Sequence, residues 1–396
     1  MRVVIVGGKL QGIEATYLAH KAAWEVVLVD RNSAVPAAGL CDVFYQLDIT
    51  GDALDLPEAV KTADLIIPAL ENPVALKYLR EIAAKENIPL AYDAAAYAVT
   101  SSKKKSDLLF AKLGVPAPKP WPECDLPIIV KPSNSSGSRG IHKVNKMEEL
   151  SALITSELNS RVIQEFLEGS SYSLEVIGAK GNFVSFQSTE IEMDSQYDCK
   201  RVLAPAGLSS AVNKEFKEIA IAIADALNLN GIMDVEVIFH NSTLKVLEID
   251  ARLPSQTPTV VNKSIGINML EFLYDVFVKG VIPTIPCVHY ERGVVYEHIK
   301  VSPGILEVSG EHIMAGAHPL KLFEHFFGAD EALSDFAPGR SSWVATLIIT
   351  ANSREEAWNK RCQVIKDIRG YFGLSTYVDS APKCREFASS RRLELG

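Results

Sequence analysis

The chain has 396 residues, of which 47% are hydrophobic and 22% are charged, and its formal net charge is −9. This length and composition predict a globular protein of two or three domains. The acidic balance argues against a nucleic-acid binder, and no apolar run is long enough to span a bilayer, so neither nucleic acid nor membrane is expected as a partner. The six cysteines are dispersed without a C-x-x-C pair, which indicates free thiols and a cytoplasmic location.

The first ninety or so residues alternate apolar strands with helices. "RVVIVG" and "EVVLVD" are short β-branched runs, typical of parallel strands that are covered on both faces. Helical spacing fills the intervals, and this alternation predicts a doubly wound α/β domain. The predicted elements are strands at 2–7, 25–30, 63–70 and 88–93 and helices at 9–23 and 72–87.

The segment "VGGKLQG" joins the first strand to the first helix. Its glycines suggest a dinucleotide-binding turn. Lys9, however, takes the place of the middle glycine of G-x-G-x-x-G, which disfavours a hydride-transfer enzyme. Asp30 ends the second strand, where a ribose-binding acid would stand. Both a ligand-binding turn and a tight turn with close helix packing remain open.

Prolines punctuate residues 113–127, and a second unit begins there. Lys131 ends an apolar strand, and the small residues of Ser135–Gly140 would let backbone amides approach an anion; an ordinary surface loop is the alternative. A lysine cluster that includes Lys103 opens a helix, where cations are unfavourable, so a bound anion would ease its placement. Further predicted elements are helices at 146–158, 214–228 and 268–280, strands at 161–167, 171–178 and 343–350, and a helix after 353.

The segment "VIQEFLEG" alternates acidic and apolar residues before Gly169. Its edge backbone could pair with the Watson–Crick edge of an adenine, between apolar walls provided by Phe166 and Leu167. The alternative is an ordinary half-exposed strand.

The segment "VEVIFHNSTLKVLEIDARLPSQTPT" is predicted to form a hairpin with clustered acids. Because successive side chains in a strand point to opposite faces, Glu248, Asp250 and Arg252 share a face. A three-residue loop at Asn241–Thr243 places Glu236 opposite Glu248. Facing like charges destabilise a ladder, so we expect a cation between them. Oxygen-only ligands suit Mg²⁺ or Mn²⁺, and Arg252 suits a phosphoryl group or an anionic intermediate.

In this order the signals resemble the ATP-grasp superfamily of carboxylate–amine ligases. The resemblance implies ATP and magnesium, with Lys131 and Arg252 acting in catalysis. Two departures concern Asp250, where the superfamily usually has Asn, and Gln164, which replaces the first glutamate of the adenine-binding hinge. The implied nucleotide-binding residues are Lys103, Lys131, Ser138, Gln164, Glu165, Phe166 and Leu167, and the implied metal ligands are Glu236, Glu248 and Asp250.

Longer segments narrow the resemblance to the pyrrolysine-biosynthesis ligases (3-methylornithine–lysine ligases), over nearly residues 1–300. The segments are "GGKLQG-E", "VVLVD-N", "LEN", "KKKS", "YSLEVIG", "YDC", "GIMDVE" and "EIDARLPSQTPT", with weaker echoes in "YEHI" and "GEHI". That family joins the carboxylate of (3R)-3-methyl-D-ornithine to the ε-amine of L-lysine with ATP. Another ATP-grasp amino-acid ligase, such as a D-alanine–D-alanine-like enzyme, is the alternative; an oxidoreductase and a non-catalytic ATP-binding regulator fit the residues less well.

The narrower resemblance also implies which residues contact the substrates. The ornithine or D-ornithine-like substrate would be held by Ser173, Leu174, Glu175, Asp234, Arg252, Leu253, Pro254, Ser255, Gln256 and Thr257. Lysine would be held by Leu10, Gln11, Glu71, Ser255 and Glu311. Accessory nucleotide contacts would come from Lys9, Asp30, Asp48 and Ile49.

The expected fold class is α/β, an ATP-grasp fold in three parts. A Rossmann-like (pre-ATP-grasp) domain at 1–92 is followed by an ATP-grasp domain at 93–290, which includes a small α+β lid at 121–178. Residues 291–396 complete the C-terminal α+β domain. Apolar stretches in 291–350 would be the place for a homodimer interface.

Overall fold

The computed structural model of the chain describes residues 1–51, 56–134, 140–153, 160–286 and 290–382. Within them the strands form three sheets, which correspond to the N-terminal domain, the lid and the remainder of the chain. None of the helices in these ranges is both long and apolar enough to cross a membrane.

The N-terminal sheet is parallel, with strand order β3-β2-β1-β4. Alternate residues of β1 enter different cores, Val3 and Ile5 in one and Val4 and Val6 in the other, so helices and loops cover both faces. This arrangement confirms the Rossmann-like expectation. The elements are β1 (Arg2–Val6), α1 (Leu10–Lys21), β2 (Glu25–Asp30), β3 (Val43–Gln46), α2 (Glu58–Lys61), β4 (Leu65–Pro68) and α3 (Pro73–Glu86).

Two details of this domain differ from the sequence-based expectation or resolve it. The strand expected at 88–93 makes only a single bridge, between Ile66 and Leu90. Gly7 has φ +105°, and a Cβ there would lie 2.4 Å from the Ala69 carbonyl oxygen. A Cβ on Gly12 would lie 2.1 Å from the Gly7 carbonyl oxygen. These glycines therefore serve a tight turn and close helix packing.

The lid is a small antiparallel sheet of order β6-β5-β7 that packs around Ile128, Val130, Val144 and Leu150. Its strands end at Glu165, and the next strand already belongs to the large sheet, so the lid boundary expected at 178 is too late. The elements of this region are α4 (Ala94–Thr100), α5 (Lys103–Leu113), β5 (Ile128–Pro132), β6 (His142–Val144), α6 (Met147–Leu153) and β7 (Arg161–Glu165).

Twelve strands of the described residues form one large sheet, with the main order β13-β12-β8-β10-β11-β14-β18-β17-β16. The expected C-terminal part thus extends the sheet that carries the acidic hairpin. The strands are β8 (Ser170–Ala179), β9 (Asn182–Ser185), β10 (Thr189–Met193), β11 (Cys199–Ala204), β12 (Gly231–His240), β13 (Thr243–Asp250), β14 (Gly293–Ser302), β15 (Ile305–Val308), β16 (Lys321–Glu324), β17 (Glu331–Ser334), β18 (Trp343–Ala351) and β19 (Thr376–Asp379).

Helices cover this sheet on both sides. On one side Leu174 and Val176 of β8 join a core with Phe216, and on the other Ile177 joins a core with Val260. Because Ser173 and Glu175 alternate with Leu174 and Val176, they face the second side. The helices are α7 (Ser210–Ala226), α8 (Thr257–Ile265), α9 (Met269–Tyr274), α10 (His312–Ala315) and α11 (Arg354–Phe372).

The apolar stretches in 291–350 are largely used inside this chain. Val295, Ile299, Trp343 and Ile349 are buried in one core under α11. These buried side chains are not available for a homodimer interface, which stays a prediction.

Candidate active site

Two neighbouring rungs of the large sheet carry the clustered acids, where a rung is a set of residues facing one another across adjacent strands. Side chains two residues apart on one strand share a face, so both rungs present their groups to the same side. Five carboxylates and one hydroxyl thus form a two-by-three array. The first rung holds Ser173, Glu236 and Glu248, and the second holds Glu175, Asp234 and Asp250.

The pairing of Glu236 with Glu248 is confirmed, but the expected three-residue loop is wrong. His240 pairs with Thr243 across a two-residue turn, in which Asn241 and Ser242 both have positive φ. A regular ladder from that turn would place residue 247 opposite Glu236. A register shift beside Glu236 inserts one extra residue on β13 and restores the acid pair.

Burial and neighbouring negative charges raise the pKa of several carboxyl groups in this array. Burial, then the neighbouring Glu248 and Glu311, raise the pKa of Glu236 to about 7. Burial also raises the pKa of Glu175 to about 7. The pKa of Asp234 lies well above its ordinary value through burial and the charges of Glu236 and Asp250. Cations placed among these groups would displace the protons.

Two lysines approach the first rung from separate elements. Lys103, at the start of α5, has its ammonium 2.7 Å from Glu248 Oε1. Lys131 is buried at the end of β5; burial lowers its pKa, and the charge of Glu248 opposes that shift. The main chain links the two elements, because the Lys103 amide donates to the Ser133 carbonyl at 3.0 Å.

Arg252 lies beside the second rung. Its Nε is 2.9 Å from Asp250 Oδ2 and 2.9 Å from Glu71 Oε1, yet neither carboxylate is aligned as a hydrogen-bond acceptor for it. Burial lowers the pKa of Arg252, but the carboxylates raise it above the ordinary value, so the guanidinium stays charged. Gln11 Nε2 also donates to Glu71 Oε1 at 2.9 Å, which joins α1 to the array.

The array fits a hard divalent cation. Among the described residues, Glu175 Oε2, Asp234 Oδ1 and Asp250 Oδ1 are buried without hydrogen-bond partners. Unpaired buried oxygens are costly, so they mark positions for a ligand. Oxygen-only donors are those that Mg²⁺ prefers. Lys103 contacts Glu248, and Arg252 lies 2.9 Å from Asp250. Burial lowers the pKa of Lys131, and the charges of Glu248 and Glu236 both oppose that shift.

The expected hinge lies at the junction of lid and large sheet. Gln164 is buried within the lid sheet, Glu165 forms a 2.6 Å ion pair with Lys245 of the hairpin, and the Lys143 ammonium lies 3.6 Å from the centre of the Phe166 ring. Leu167 is also buried. A cleft of about 1020 Å³ opens here; its lining includes Phe166, Lys143, Tyr197 and His240. The expected phosphate contact Ser138 lies outside the described residues.

The segment before α8 adopts a strained turn. Gln256 has φ 76° and ψ −58°, and the Thr257 amide donates to the Ser255 carbonyl at 2.9 Å, which defines a γ-turn with positive φ. Such a conformation costs about 1–3 kcal/mol and is found mainly at functional sites. It directs Ser255 Oγ and Gln256 Nε2 to Glu311 Oε2, at 2.7 and 2.6 Å.

A buried carboxylate of the N-terminal domain supports this turn. Glu14 on α1 is 2% exposed, and its Oε1 accepts the Thr259 amide at 2.6 Å, which caps the first turn of α8. Burial raises the pKa of Glu14 to about 7, against its hydrogen bonds with Thr259. The sequence reasoning assigned Glu14 no role.

One cavity of about 120 Å³ joins the acid array to this turn. It brings together most of the predicted ornithine contacts and Glu311. It also adds residues that were not predicted, including Asp198 and Cys199 of the "YDC" segment. Its lining comprises Ser173, Ile191, Met193, Asp198, Cys199, Val202, Asp234, Glu236, Glu248, Asp250, Arg252, Pro254, Ser255, Gln256, Thr257 and Glu311.

Several predicted contacts lie elsewhere. The Leu174 side chain points into the core on the far side of β8, and Leu253 is buried in the other core, so neither side chain lines this cavity. Leu10 begins α1 beside Gln11 and packs against the same core as Leu253.

The four predicted accessory nucleotide contacts lie in the N-terminal domain. Asp30 Oδ2 accepts the Gly8 amide at 2.8 Å, next to the exposed Lys9. Asp48 accepts bonds from Thr50, which lower its pKa, and the Ile49 side chain is buried in the core. A ligand would therefore meet Ile49 only through its main chain.

Comparison with known proteins agrees with this geometry. The family profile described as ATP-grasp domain matches residues 100–256, which include both lysines and the hairpin. The 3-methyl-D-ornithine–L-lysine ligase of Methanosarcina barkeri (strain Fusaro / DSM 804) is 36% identical over 374 residues, which cover 94% of this chain and 98% of that protein. The chain belongs to the 3-methyl-D-ornithine–L-lysine ligase family. Both the ATP-grasp fold and the narrower resemblance are confirmed.

Other relatives match this member of the 3-methyl-D-ornithine–L-lysine ligase family less completely. A D-alanine–D-alanine ligase of Prochlorococcus marinus (strain MIT 9515) is 33% identical over 132 residues, 31% of this chain and 37% of that protein. The biotin carboxylase domain of the Hydrogenobacter thermophilus 2-oxoglutarate carboxylase, solved with MgADP, ADP and bicarbonate, has a TM-score of 0.69 at 13% identity and covers 92% of this chain and 89% of that one. The latter likeness shows the fold. This chain is an ATP-dependent ligase that forms a carbon–nitrogen bond.

Proposed function

We propose that this ligase joins the carboxylate of 3-methyl-D-ornithine to the ε-amine of L-lysine, with ATP converted to ADP and phosphate. The observation that carries the proposal is one cavity lined by four carboxylates of the array, by Arg252 and by the Ser255–Thr257 turn. Both substrates carry an extra ammonium group, and a buried anionic cavity is complementary to such cations.

The acid array and the two lysines suit phosphoryl transfer. Magnesium held by Glu236, Glu248 and Asp250 would neutralise charge on the phosphoryl oxygens, and Mn²⁺ suits the same donors. Lys103 and Lys131 would bind the phosphates, and nucleotide would lie between the lid and the hairpin. Lys103 already contacts Glu248, so phosphate would compete with that carboxylate for its ammonium.

A carboxylate is a poor electrophile, so the ornithine carboxylate needs activation. Transfer of the γ-phosphoryl group would give an acyl phosphate, from which phosphate leaves readily. Arg252 is placed to steady the acyl phosphate and the tetrahedral oxyanion, because its Nε–H is not aligned with either neighbouring carboxylate.

The ε-amine must attack as the neutral base, although its ordinary pKa is about 10.4. A cavity that excludes water both protects the acyl phosphate from hydrolysis and favours loss of the ammonium proton. We place lysine between the Gln11–Glu71 pair and Glu311. The ornithine part would lie between Glu175 and the γ-turn.

Isotope labelling tests this chemistry. With ¹⁸O in the ornithine carboxylate, one label should appear in inorganic phosphate, and the product should be an ε-linked isopeptide by mass fragmentation. Label in AMP, or an α-linked dipeptide, would contradict the mechanism. Turnover with D-alanine but not with ornithine-type substrates would favour the D-alanine–D-alanine-like alternative.

A cytoplasmic location is part of the proposal. The described cysteines Cys41, Cys124, Cys199 and Cys362 are free, which supports a reducing compartment.

A further inference from the structure

Two residues to which the sequence assigned no role, Asp198 and His312, meet beside the cavity. Asp198, from "YDC", is 5% exposed and lines the cavity. Its Oδ2 accepts the His312 main-chain amide at 3.0 Å and is hydrogen-bonded to His312 Nδ1. His312, from "GEHI", has a side chain that is 57% exposed. The pair therefore reaches from the substrate cavity to solvent.

The local backbone is built to hold this pair. Gly310 precedes Glu311 and His312, and a Cβ on Gly310 would lie 2.2 Å from Asp198 Oδ2. Asp194 orders the turn, because its Oδ2 accepts the Gly310 amide at 2.9 Å and its Oδ1 accepts the Asp198 amide at 3.1 Å. Only glycine at 310 lets Asp198 approach His312 so closely.

Asp194, Asp198 and His312 also lie close enough together to suggest a cation site. Asp194, however, already accepts three main-chain amides, from Gln196, Asp198 and Gly310, so its carboxylate is used in ordering the turn. The geometry favours an acid–imidazole pair over a metal site.

We propose that Asp198 and His312 form a proton relay for the lysine ε-amine. This proposal rests on the proposed function. Formation of the amide from an ammonium and an acyl phosphate releases one proton beyond the one that leaves with phosphate as HPO₄²⁻. That proton must leave a cavity whose lining includes many buried side chains. The Asp198–His312 pair reaches from the cavity to solvent and gives this proton a path.

Amide formation removes two protons from the ε-ammonium. An N–H bond of the ε-ammonium breaks, and its proton bonds to the Asp198 carboxylate. From there it passes to the lone pair of His312 Nδ1, with His312 in the tautomer that carries its own proton on Nε2. The resulting imidazolium releases the Nε2 proton to water, and proton exchange between the exposed ring and water restores the starting tautomer. The freed electron pair of the amine attacks the acyl carbon, the C–N bond forms, and the C–O bond to phosphate breaks. The second N–H proton is taken by the departing phosphate.

Other titratable groups around the pair have separate roles. Glu311 Oε2 is occupied by Ser255 and Gln256. Burial raises the pKa of the Cys199 thiol, which keeps it protonated. Burial, followed by the charge of His312, lowers the pKa of His298 to about 3, so His298 stays neutral. Asp198 is thus the cavity carboxylate with an exposed imidazole behind it.

Chemical rescue and an alternative nucleophile test the relay. For His312→Ala we expect kcat for isopeptide formation to fall by about tenfold or more. This loss is smaller than the roughly 10²–10⁴-fold loss that is usual for a general acid–base group, because water can partly replace the imidazole. The KM for lysine should change little, and added imidazole should restore part of kcat. In Asp198→Asn, kcat should fall further, and added imidazole should not restore it. His318→Ala, at another exposed histidine, is the matched control and should behave as wild type.

Hydroxylamine separates this relay from the acyl phosphate itself. It is mostly unprotonated at neutral pH, so it traps an acyl phosphate as the hydroxamate without a base. His312→Ala should form hydroxamate at the wild-type rate. A normal isopeptide rate in His312→Ala, no effect of imidazole, or an equal loss of both reactions would overturn the relay. Failure of the wild type to form hydroxamate would overturn the acyl phosphate, and the relay with it.

Discussion

Glu14→Gln tests the buried carboxylate that joins the N-terminal domain to the substrate-binding turn. Burial raises the Glu14 pKa from the ordinary 4.5 to about 7, so keeping Glu14 ionised in the folded protein costs stability. The favourable contribution of its protonation is fully present below pH 4.5 and is lost as pH rises through 7. At about 1.4 kcal/mol per pKa unit, the loss reaches about 3 kcal/mol at pH 8.

Glutamine has the same shape, and its carbonyl oxygen can accept the Thr259 amide. We therefore expect Glu14→Gln to be more stable than wild type by up to about 3 kcal/mol at pH 8 and by less than about 1 kcal/mol at pH 5. Thermal unfolding from pH 5 to 8.5 measures the difference. Glu81→Gln, at an exposed carboxylate on α3, is the matched control. A melting temperature that falls at every pH, or an unchanged pH dependence, would refute the reasoning.

The same site links stability to substrate binding. Glu14→Ala removes the acceptor for the Thr259 amide, which costs about 1–3 kcal/mol for a buried unsatisfied donor. The strained turn at Gln256 should then relax, so the KM for both amino acids should rise. Glu14→Gln should keep the wild-type KM. Equal KM values in Glu14→Ala and wild type would show that α8 holds the turn without this cap.

Three further predictions concern the acid array and the lysines. Glu248→Gln should abolish turnover without lowering the melting temperature. Asp250→Asn should have a milder effect on turnover, because an amide oxygen can still ligate magnesium. Normal turnover of Glu248→Gln at ordinary magnesium concentrations would contradict the magnesium site. Lys131→Ala should weaken ATP binding sharply by calorimetry, whereas Lys146→Ala, on the exposed part of the lid, should not. Because Glu236 has a pKa of about 7, Mg²⁺ affinity should rise about tenfold from pH 6 to pH 8 with release of a proton; a flat pH dependence would exclude Glu236 as a ligand.

The arrangement of residues along each strand was predictable from sequence. Alternation along an extended backbone is a local property, so Glu248 and Asp250 had to share a face once they lay in a strand. The apolar runs of β1 and β2 likewise indicated a buried parallel sheet, because only such strands lack a polar face.

The pairing of strands was not predictable from local pattern. The acid pair Glu236–Glu248 was expected from a three-residue loop, but the structure reaches it through a two-residue turn and a bulge. The expected loop is one residue too long, and the expected ladder lacks the one-residue bulge. These two differences cancel, so the same acid pair results. A register is set by turn geometry and by the packing of whole faces, and a single inserted residue moves every side chain beyond it. The neighbouring position of Glu175 depends in the same way on β8 pairing with β12.

The sequence alone therefore determined the fold class, the acid-bearing strands and the residue types of the site, because these follow from local geometry and chemistry. The tertiary structure decided which of those residues meet. Asp198 and His312 are 114 positions apart, and Glu14 and Thr259 are 245 apart. Contacts at such separations arise only when complete elements pack together. The γ-turn at Gln256 belongs with them, since a strained backbone persists only where surrounding contacts hold it.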